Sequence, residues 1–421
     1  MVWIHGGGYA AGAGSEPLYD PSVIVKASRM IVVTLNYRLG ALGFLAYPAL
    51  SDEDSQHRSG NYGIQDQQAA LSWVQRNIPA FGGDPNQVTV FGESAGGNSV
   101  LINLASPTAA GLFQRAIAES PLFGAPLLRL AHAETLWGRE VSKVVHCPLR
   151  GPDAAACLRA LPLDQLVAFS QISIERPFSL FAPVIDNVVL KHTLTAAFSR
   201  GAFNQVPVII GSNHDEATLM TAVLYNLTQG PVTAARYPEI LQQHFGENAA
   251  QVASSYPLES YPTPSQALAT VFTDSFFACP VERIRAAASR YVPAYGYEFN
   301  EPDPVATQGY PASAPDLEMR DAHTFELPYV FGHNGTEPLP DQRALALSHT
   351  MIRYWTRFAV SGDPNQESSH DHALADRIDW PRYAEQDAAL LSLEDQPEVS
   401  SAFRSNHQCA LWDEINPKGI Y

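Results

Sequence analysis

The segment Val88–Ala105, VTVFGESAGGNSVLINLA, joins an apolar run to a helical pattern through a Gly-x-Ser-x-Gly turn. The run before Gly92 has the β-branched and aromatic composition of a buried strand, and the residues after Ser94 show helical apolar spacing. Gly92 and Gly96 would avoid side-chain collisions in a strained turn, and the following helix would point its first amides toward developing negative charge. The segment predicts a strand, a sharp turn and a helix that present Ser94 as a nucleophile.

Other apolar runs of strand length alternate with helical patterns along the chain. They are MVWI from Met1, MIVVTLNY from Met30, VPVIIG from Val206 and AYGYEF from Ala294. The stretch IQDQQAALSWVQRNI from Ile64 has the spacing of an amphipathic helix. This alternation predicts the α/β class, with a mostly parallel, twisted central sheet covered by helices on both faces.

The chain reads as one domain over residues 1–421. Two loop-like segments, one Pro-rich from Glu301 and one polar from Ser361, have strand-like and helical patterns on both sides, so neither resembles a linker. The opening MVWI reads as the end of a buried strand, which normally has neighbours on both sides. We therefore expect that sequence upstream of Met1 is missing and that the domain is truncated at its N-terminus.

Charge and hydropathy exclude some partners. With 26 basic and 43 acidic residues the chain has a formal net charge of −17, which repels phosphate backbones and disfavours nucleic acid as a partner. No run of about eighteen uncharged apolar residues is present, so no membrane span is predicted.

A glycine cluster follows the first strand pattern, in the run Trp3-Ile-His-Gly-Gly-Gly8. Backbone amides without side chains nearby can approach a carbonyl oxygen closely, so Gly7 and Gly8 are candidate oxyanion donors, with Ala95 as the third. The rival interpretation is a phosphate cradle, but no Lys-Ser/Thr follows and Ala11 occupies the third glycine position.

A serine nucleophile needs a base, and the base needs an acid that holds its tautomer. The expected chain order is Ser, acid, His. By position alone Asp186, Asp215 and Glu216 are all plausible acids, and His323 is one of 13 histidines. Solvated loop side chains are the alternative for Glu216 and His323.

The sequence resembles the type-B carboxylesterase and cholinesterase family of α/β-hydrolases over nearly its whole length. The blocks that carry the resemblance are MVWIHGGGYAAG, GNYGIQDQQAALSWVQRNIPAFGGDPNQVTVFGESAGG, GSNHDEATLM and DAHTFELPYVFG. It implies a serine esterase without a cofactor, with Ser94 as nucleophile, Glu216 as acid and His323 as base. One departure is Ala217, which stands where the family usually has glycine.

The resemblance also suggests substrate-facing residues. It places Glu93 close to the catalytic residues, with a structural turn residue as the alternative. The positions where cholinesterases carry an aromatic residue hold Leu219 and Met220, which offer no cation-π face. With Leu180 and Phe181 they would form an apolar wall for short-to-medium acyl or aryl esters, ordinary core packing being the alternative.

Two other functions remain open at this point. A triacylglycerol lipase is the nearest alternative, and a non-catalytic extracellular adhesion module of the same fold is another. For an esterase or a lipase, the expected partner is a small-molecule ester. The sequence does not indicate an oligomeric state.

By resemblance, the cysteines pair as Cys147 with Cys157 and Cys279 with Cys409. Such bridges imply an oxidising compartment, so we expect a secreted or periplasmic protein whose signal peptide belongs to the missing upstream segment. The alternative is a cytoplasmic enzyme with four reduced thiols.

Other sequence signals carry little weight. Asn226 and Asn334 begin Asn-x-Thr triplets, which matter only in a eukaryotic secretory route. No His-Glu-x-x-His and no paired Cys/His spacing is present, so no metal is predicted.

Overall fold

A computed structural model describes residues 1–121, 127–168, 181–305, 314, 316–366 and 378–416. Its strands, in chain order, are β1 (Val2–Ile4), β2 (Val33–Thr34), β3 (Thr89–Glu93), β4 (Arg115–Glu119), β5 (Val208–Asn213), β6 (Ala294–Phe299), β7 (His333–Asn334), β8 (Glu337–Pro338), β9 (Leu390–Leu393) and β10 (Glu398–Ser400). Among the described residues, one eight-stranded sheet has the order β10-β9-β6-β5-β4-β3-β1-β2, and β7 pairs with β8 as a separate hairpin.

Helices fill the connections between these strands. The α-helices are α1 (Ser22–Ser28), α2 (Gly40–Phe44), α3 (Pro48–Glu53), α4 (Tyr62–Asn77), α5 (Ala95–Ala105), α6 (Leu130–Val145), α7 (Ala154–Arg159), α8 (Leu163–Ala168), α9 (Leu194–Ser199), α10 (Ala217–Thr221), α11 (Leu227–Gln229), α12 (Arg236–Phe245), α13 (Ala249–Ser255), α14 (Pro264–Thr273), α15 (Cys279–Ser289), α16 (Leu327–Phe331), α17 (Gln342–Ser361), α18 (Phe403–Asn406) and α19 (Cys409–Ile415). Short 3-10 helices lie at Pro17–Tyr19, Ile78–Phe81, Pro107–Ala109, Gly246–Asn248 and Leu258–Ser260. π-helical turns at Ala222–Asn226 and Asp274–Ala278 continue α10 and α14.

The sheet is parallel from β2 to β9, and only β10 runs antiparallel to its neighbour β9. Alternate side chains enter two different cores. In β1, Val2 and Ile4 join the core under α4, α5 and α15, whereas Trp3 joins the aromatic core under α1, α16 and α17. Both faces are therefore covered, and the α/β prediction with helices on both faces is confirmed.

Several sheet elements differ from the sequence prediction: β7 to β10 were not predicted, and β2 and β4 differ for clear reasons. The run from Met30 forms only the two-residue strand β2, which is half-buried because β1 is its one partner among the described strands. Strand β4, RAIAE, was not predicted, because its two alanines give little strand signal. Its burial comes from β3 and β5 on either side, so tertiary context overrides its weak propensity.

The helix after the turn is packed on every side. All residues of α5 are buried, as expected for a helix between a sheet and other helices. A Cβ on Gly96 would lie 2.0 Å from the Ile4 carbonyl oxygen, and one on Gly97 would lie 2.4 Å from the Glu119 carbonyl oxygen. The glycines therefore bring α5 against β1 and β4.

Two disulfides join the cysteines as the resemblance implied. Cys147 pairs with Cys157, and Cys279 pairs with Cys409 across a separation of 130 residues. In the described part of the chain, no helix combines the length and the hydropathy that crossing a membrane would require.

Candidate active site

Ser94 lies in a strained turn at the carboxyl end of β3. Its backbone has φ 58° and ψ −124°, a conformation that non-glycine residues rarely adopt. Its amide donates to the Glu119 carbonyl oxygen at 3.0 Å, which ties the turn to the end of β4. The hydroxyl therefore stands at the N-terminus of α5, where the helix dipole favours negative charge.

His323 joins Ser94 to Glu216 in a continuous hydrogen-bonded set. Its Nε2 is 2.8 Å from Ser94 Oγ, and its Nδ1 is 2.6 Å from Glu216 Oε2. All three side chains are buried, with Glu216 fully so. The structure therefore brings together the three residues predicted from motif and resemblance.

Backbone hydrogen bonds fix the two loops that carry Glu216 and His323. The other Glu216 oxygen, Oε1, accepts from the Asn213 amide at 2.8 Å. The His323 amide donates to the Glu216 carbonyl oxygen at 3.2 Å, and the Asp215 amide donates to that of Asp321 at 3.2 Å. The loop after β5 and the loop before α16 therefore hold each other in register.

The other acids considered from sequence lie elsewhere. Asp186 Oδ1 accepts from the amides of Val188, Val189 and Leu190, which makes it a turn residue. Asp215 Oδ2 faces His214 Nδ1 at 3.2 Å instead of His323.

The glycine loop after β1 packs beside the serine. A Cβ on Gly6 would lie 3.0 Å from the Ser94 Cβ, and Gly7 and Gly8 have φ values of 99° and 61°. Within the described residues, no hydrogen bond engages the amides of Gly7 and Gly8. The Ala95 amide opens α5, where helix geometry supplies no acceptor. The three predicted oxyanion donors therefore have amides free for a ligand oxygen.

Glu93 is a buried carboxyl beside the base. Its Oε1 lies 3.2 Å from His323 Nε2, and its side chain is 2% exposed. Burial raises the pKa of Glu93 well above its usual range, while His323 opposes the shift. Burial would lower the pKa of His323, but Glu93 and Glu216 outweigh it and raise that pKa to about 9.

Two further buried carboxyl groups surround this pair. Burial and the neighbouring Glu216 raise the pKa of Glu326 to about 7, and its Oε2 accepts from Asn213 Nδ2 at 2.6 Å. Burial raises the pKa of Glu119 well above its usual range, although the Trp355 indole donates to it at 3.0 Å. Sequence reasoning did not single out Glu119 or Glu326, because a carboxyl at a strand end or in a helix N-cap has no signature of its own.

The predicted apolar wall is divided by the structure. Leu219 packs with Ala322 and Phe325, which flank His323 in sequence. Met220 instead packs against another core, which includes Tyr237 and Phe272. Phe181 is fully buried, and its ring contacts that of Trp137 at 5.9 Å between centroids, as the core-packing alternative would have it. Leu180 lies outside the described residues.

Phe277 is an apolar neighbour of the base that sequence reasoning missed. Its ring centroid lies 5.1 Å from that of His323. It comes from the π-helical turn Asp274–Ala278, which sequence periodicity does not reveal.

The two Asn-x-Thr triplets occupy different environments. Asn226 is 8% exposed, and its Nδ2 donates to both carboxylate oxygens of Asp316 at 2.9 Å. Asn334 lies half-buried in β7. Asn226 is therefore committed to an internal hydrogen bond.

One group of side chains has donor atoms suited to a metal ion. His214, Glu298 and His407 each offer a ligand atom, and these atoms lie within 4.8 Å of one another. His214 comes directly after β5, and Glu298 lies near the end of the neighbouring strand β6. The group therefore lies next to the loop that carries Glu216.

The mostly parallel sheet covered by helices on both faces, with Ser94, Glu216 and His323 in contact beside it, has the α/β-hydrolase fold. A sequence model described as "Carboxylesterase family" matches residues 1–412. The chain is 36% identical to a fumonisin B1 esterase of Sphingopyxis macrogoltabida, over 91% of this chain and 67% of that protein. It is 35% identical to a para-nitrobenzyl esterase of Bacillus subtilis (strain 168), over 94% of this chain and 76% of the relative.

A solved structure titled "PNB esterase" superposes with a TM-score of 0.77 at 32% identity, covering 98% of this chain and 81% of that one. The chain belongs to the carboxylesterase family, and it is an enzyme of that family.

Proposed function

We propose that this carboxylesterase hydrolyses carboxylic esters through an acyl-enzyme on Ser94. The observation that carries the proposal is the hydrogen-bonded set in which His323 contacts Ser94 at 2.8 Å and Glu216 at 2.6 Å. These distances suit a base that takes the serine proton while an acid holds its tautomer.

In the first half-reaction, Ser94 Oγ attacks the ester carbonyl carbon and its proton passes to His323 Nε2. The amides of Gly7, Gly8 and Ala95 stabilise the tetrahedral oxyanion. His323 then protonates the leaving alcohol as the ester bond breaks. Water repeats the sequence on the acyl-enzyme, so that the acid is released and Ser94 regains its proton.

Glu216 keeps the imidazole of His323 oriented and stabilises its cation. Its two oxygens are used by His323 and by the Asn213 amide, which fixes the carboxylate in one position. Ala217 fits this position because it opens α10 without a positive φ, and its amide donates to Thr273 Oγ1 at 2.9 Å.

Short-to-medium acyl or aryl esters are the substrate class that we propose. Leu219 and Phe277 support it, since both are apolar and lie beside the base region. The relative named para-nitrobenzyl esterase makes a benzyl ester a suitable member of the test panel.

The test is hydrolysis of p-nitrophenyl esters of increasing acyl length, and of a p-nitrobenzyl ester, by the protein and by Ser94→Ala. We expect Ser94→Ala to lower kcat by about a millionfold, the scale seen when a serine triad loses its nucleophile. A fluorophosphonate probe should label the protein once, at Ser94. Turnover within tenfold of the parent, or labelling at another residue, would overturn the assignment.

Interfacial activation separates an esterase from a lipase. We expect the highest kcat/KM on dissolved short-to-medium esters and no increase on emulsified long-chain triacylglycerol. A rate that rises only when the interface forms would instead identify a lipase.

We also propose that the chain matures in an oxidising compartment, outside the cytoplasm. Both disulfides support this, since such bridges persist where thiols are not kept reduced. Thiol titration of the protein isolated from its source and denatured without reductant should find no free thiols. Four reactive thiols would contradict the proposal.

A further inference from the structure

A second cluster of histidine and carboxylate side chains lies behind the loop that carries Glu216. It joins His214 after β5, Glu298 at the end of β6 and His407 between α18 and α19, with one ligand atom of each within 4.8 Å of the others. Two histidines and one glutamate form a donor set that Zn²⁺ uses in proteins. We propose that His214, Glu298 and His407 bind one divalent transition metal ion, with Zn²⁺ as the preferred metal.

The imidazole of His407 is oriented as a metal ligand would be. Its Nδ1 is 2.6 Å from Asp274 Oδ1, and Asp274 Oδ2 accepts from the Tyr256 hydroxyl at 2.7 Å. A histidine that ligates a metal usually donates its other ring N–H to a carboxylate in this way. The remaining nitrogen, Nε2, is directed at Glu298 Oε1, at 2.7 Å.

His214 has the same arrangement on the opposite side of the cluster. Its Nδ1 faces Asp215 Oδ2 at 3.2 Å, so Nε2 is the nitrogen left for a ligand. Its ring centroid lies 5.3 Å from that of His407. The His214 side chain is 33% exposed, whereas His407 and Glu298 are buried, so His214 gives the ion a route from solvent.

The surroundings of the cluster favour a cation. Asp321 is 2% exposed, and its Oδ1 has no hydrogen-bond partner among the described residues. Its carboxyl interacts electrostatically with those of Asp215 and Glu298. These acids would stabilise a positive ion that enters the cluster, in addition to the buried Arg285 that already interacts electrostatically with Glu298.

Small movements convert the present contacts into a coordination shell. Ligand bonds of about 2.0 to 2.1 Å in a tetrahedral shell place ligand atoms about 3.3 Å apart. The 2.7 Å His407–Glu298 hydrogen bond must therefore open slightly, and His214 must move inward. The ion replaces the proton shared by His407 Nε2 and Glu298, and that proton leaves to solvent.

The sequence could not reveal this site. Glu298 and His407 are 109 residues apart, and neither lies in a spacing that marks metal ligands. Glu298 meets His214 because β6 lies next to β5. His407 joins them because the Cys279–Cys409 bridge holds the start of α19 against the start of α15.

The test uses the full chain, stripped with EDTA and returned to a thiol-free buffer. ZnCl₂ is titrated by calorimetry, bound zinc is counted by mass spectrometry, and Tm is measured with and without the ion. We expect one zinc per chain and, at 100 times Kd, a Tm rise of about 3 °C for a chain of this length. His214→Gln should weaken binding by about 100-fold or more, whereas the exposed His192→Gln should bind like the parent.

Equal zinc affinity and equal Tm shift in the parent and His214→Gln would overturn the proposal, as would a parent that binds no zinc. In that case His407 is an imidazolium held between Asp274 and Glu298. If His214→Gln does not fold, the Co²⁺-loaded parent decides the question. Visible d–d bands of a four- or five-coordinate ion support the site, and the spectrum of hexaaqua cobalt contradicts it. None of these readouts depends on ester hydrolysis.

Discussion

Nε2 of His323 has two neighbours with opposite chemical roles. Ser94 Oγ, at 2.8 Å, is the atom whose proton it would accept, and Glu93 Oε1, at 3.2 Å, is a carboxyl oxygen that stabilises the protonated imidazole. Because both groups are buried, Glu93 and His323 compete for one proton, and their titrations are coupled. At the scale of single residues, we therefore expect Glu93, together with Glu216, to raise the pH at which His323 loses its proton.

Replacing Glu93 by Gln should move the acid limb of the kcat/KM profile to lower pH by about one unit. The sign follows from the raised pKa of His323: an anionic neighbour favours the protonated imidazole, so a neutral amide lowers the pKa and frees the base at lower pH. The measurement is kcat/KM on a p-nitrophenyl ester from pH 5 to 10. The exposed Glu337→Gln is the control, and an acid limb that stays in place in Glu93→Gln would refute the coupling.

Asn213 is the residue on which the acid loop depends most directly. Its amide donates to Glu216 Oε1 at 2.8 Å. Its Nδ2 donates to Glu326 Oε2 at 2.6 Å and to the Ala322 carbonyl oxygen at 2.9 Å. Asn213→Ala leaves Glu326 Oε2 without this partner, at a cost of about 1 to 3 kcal/mol, whereas the Ala322 carbonyl oxygen still accepts from the Phe325 amide at 3.1 Å. Urea unfolding should show this loss, and an unchanged midpoint would mean that water replaces the amide. Ser212→Ala is a suitable control, since its buried hydroxyl has no partner among the described residues.

At the scale of elements, the strand-turn-helix unit of β3 and α5 is the part of the fold that its own sequence determines. Gly92 and Gly96 sit where β1 comes close, and a Cβ on either would lie 2.6 Å or less from the Ile4 carbonyl oxygen. The motif could be read because part of its steric demand is local: a Cβ on Gly92 would lie 2.8 Å from the Gly96 carbonyl carbon. Strand β4 and the π-helical turn with Phe277 could not, because their conformations depend on neighbours distant in sequence.

Gly96→Ala should therefore destabilise the protein strongly. The added methyl group would lie 2.0 Å from the backbone oxygen of Ile4, which a side-chain rotation cannot relieve, so we expect a loss of about 3 kcal/mol or more. Gly138→Ala is the matched control, because its Cβ would meet only side-chain atoms at 3.3 Å or beyond inside α6. Urea midpoints of the two variants should differ clearly, and similar midpoints would contradict the packing argument.

At the scale of the whole molecule, the sequence predicted the fold class, the two disulfides and a set of residues that the fold then brings into contact. Ser94, Glu216 and His323 were accessible because each lies in a local motif shared with a family. The carboxyls around them were not, because Glu119 and Glu326 acquire their properties only through burial. Raised pKa values of this kind are properties of packing, and packing is not encoded in any one segment.

The two disulfides should contribute unequally to stability. Cys279–Cys409 closes a loop of 130 residues and Cys147–Cys157 one of 10. In the chain-entropy treatment these loops correspond to about 5 and 3 kcal/mol, as upper limits. Cys279→Ser/Cys409→Ser should therefore unfold at lower urea concentration than Cys147→Ser/Cys157→Ser. The reverse order would show that local strain outweighs loop entropy.

The carboxyl groups beneath Ser94 also bear on what happens after turnover. Hydrolysis of a neutral ester produces an acid that ionises, so the electrostatic environment that tolerates the substrate repels its product. Glu93, Glu119, Glu216 and Glu326 interact electrostatically with one another or with His323, and the whole chain carries a net charge of −17. Where these groups are ionised, they repel an anion held beside them in a low-dielectric pocket. We therefore expect the released carboxylate to bind weakly, and added product acid should inhibit ester hydrolysis little.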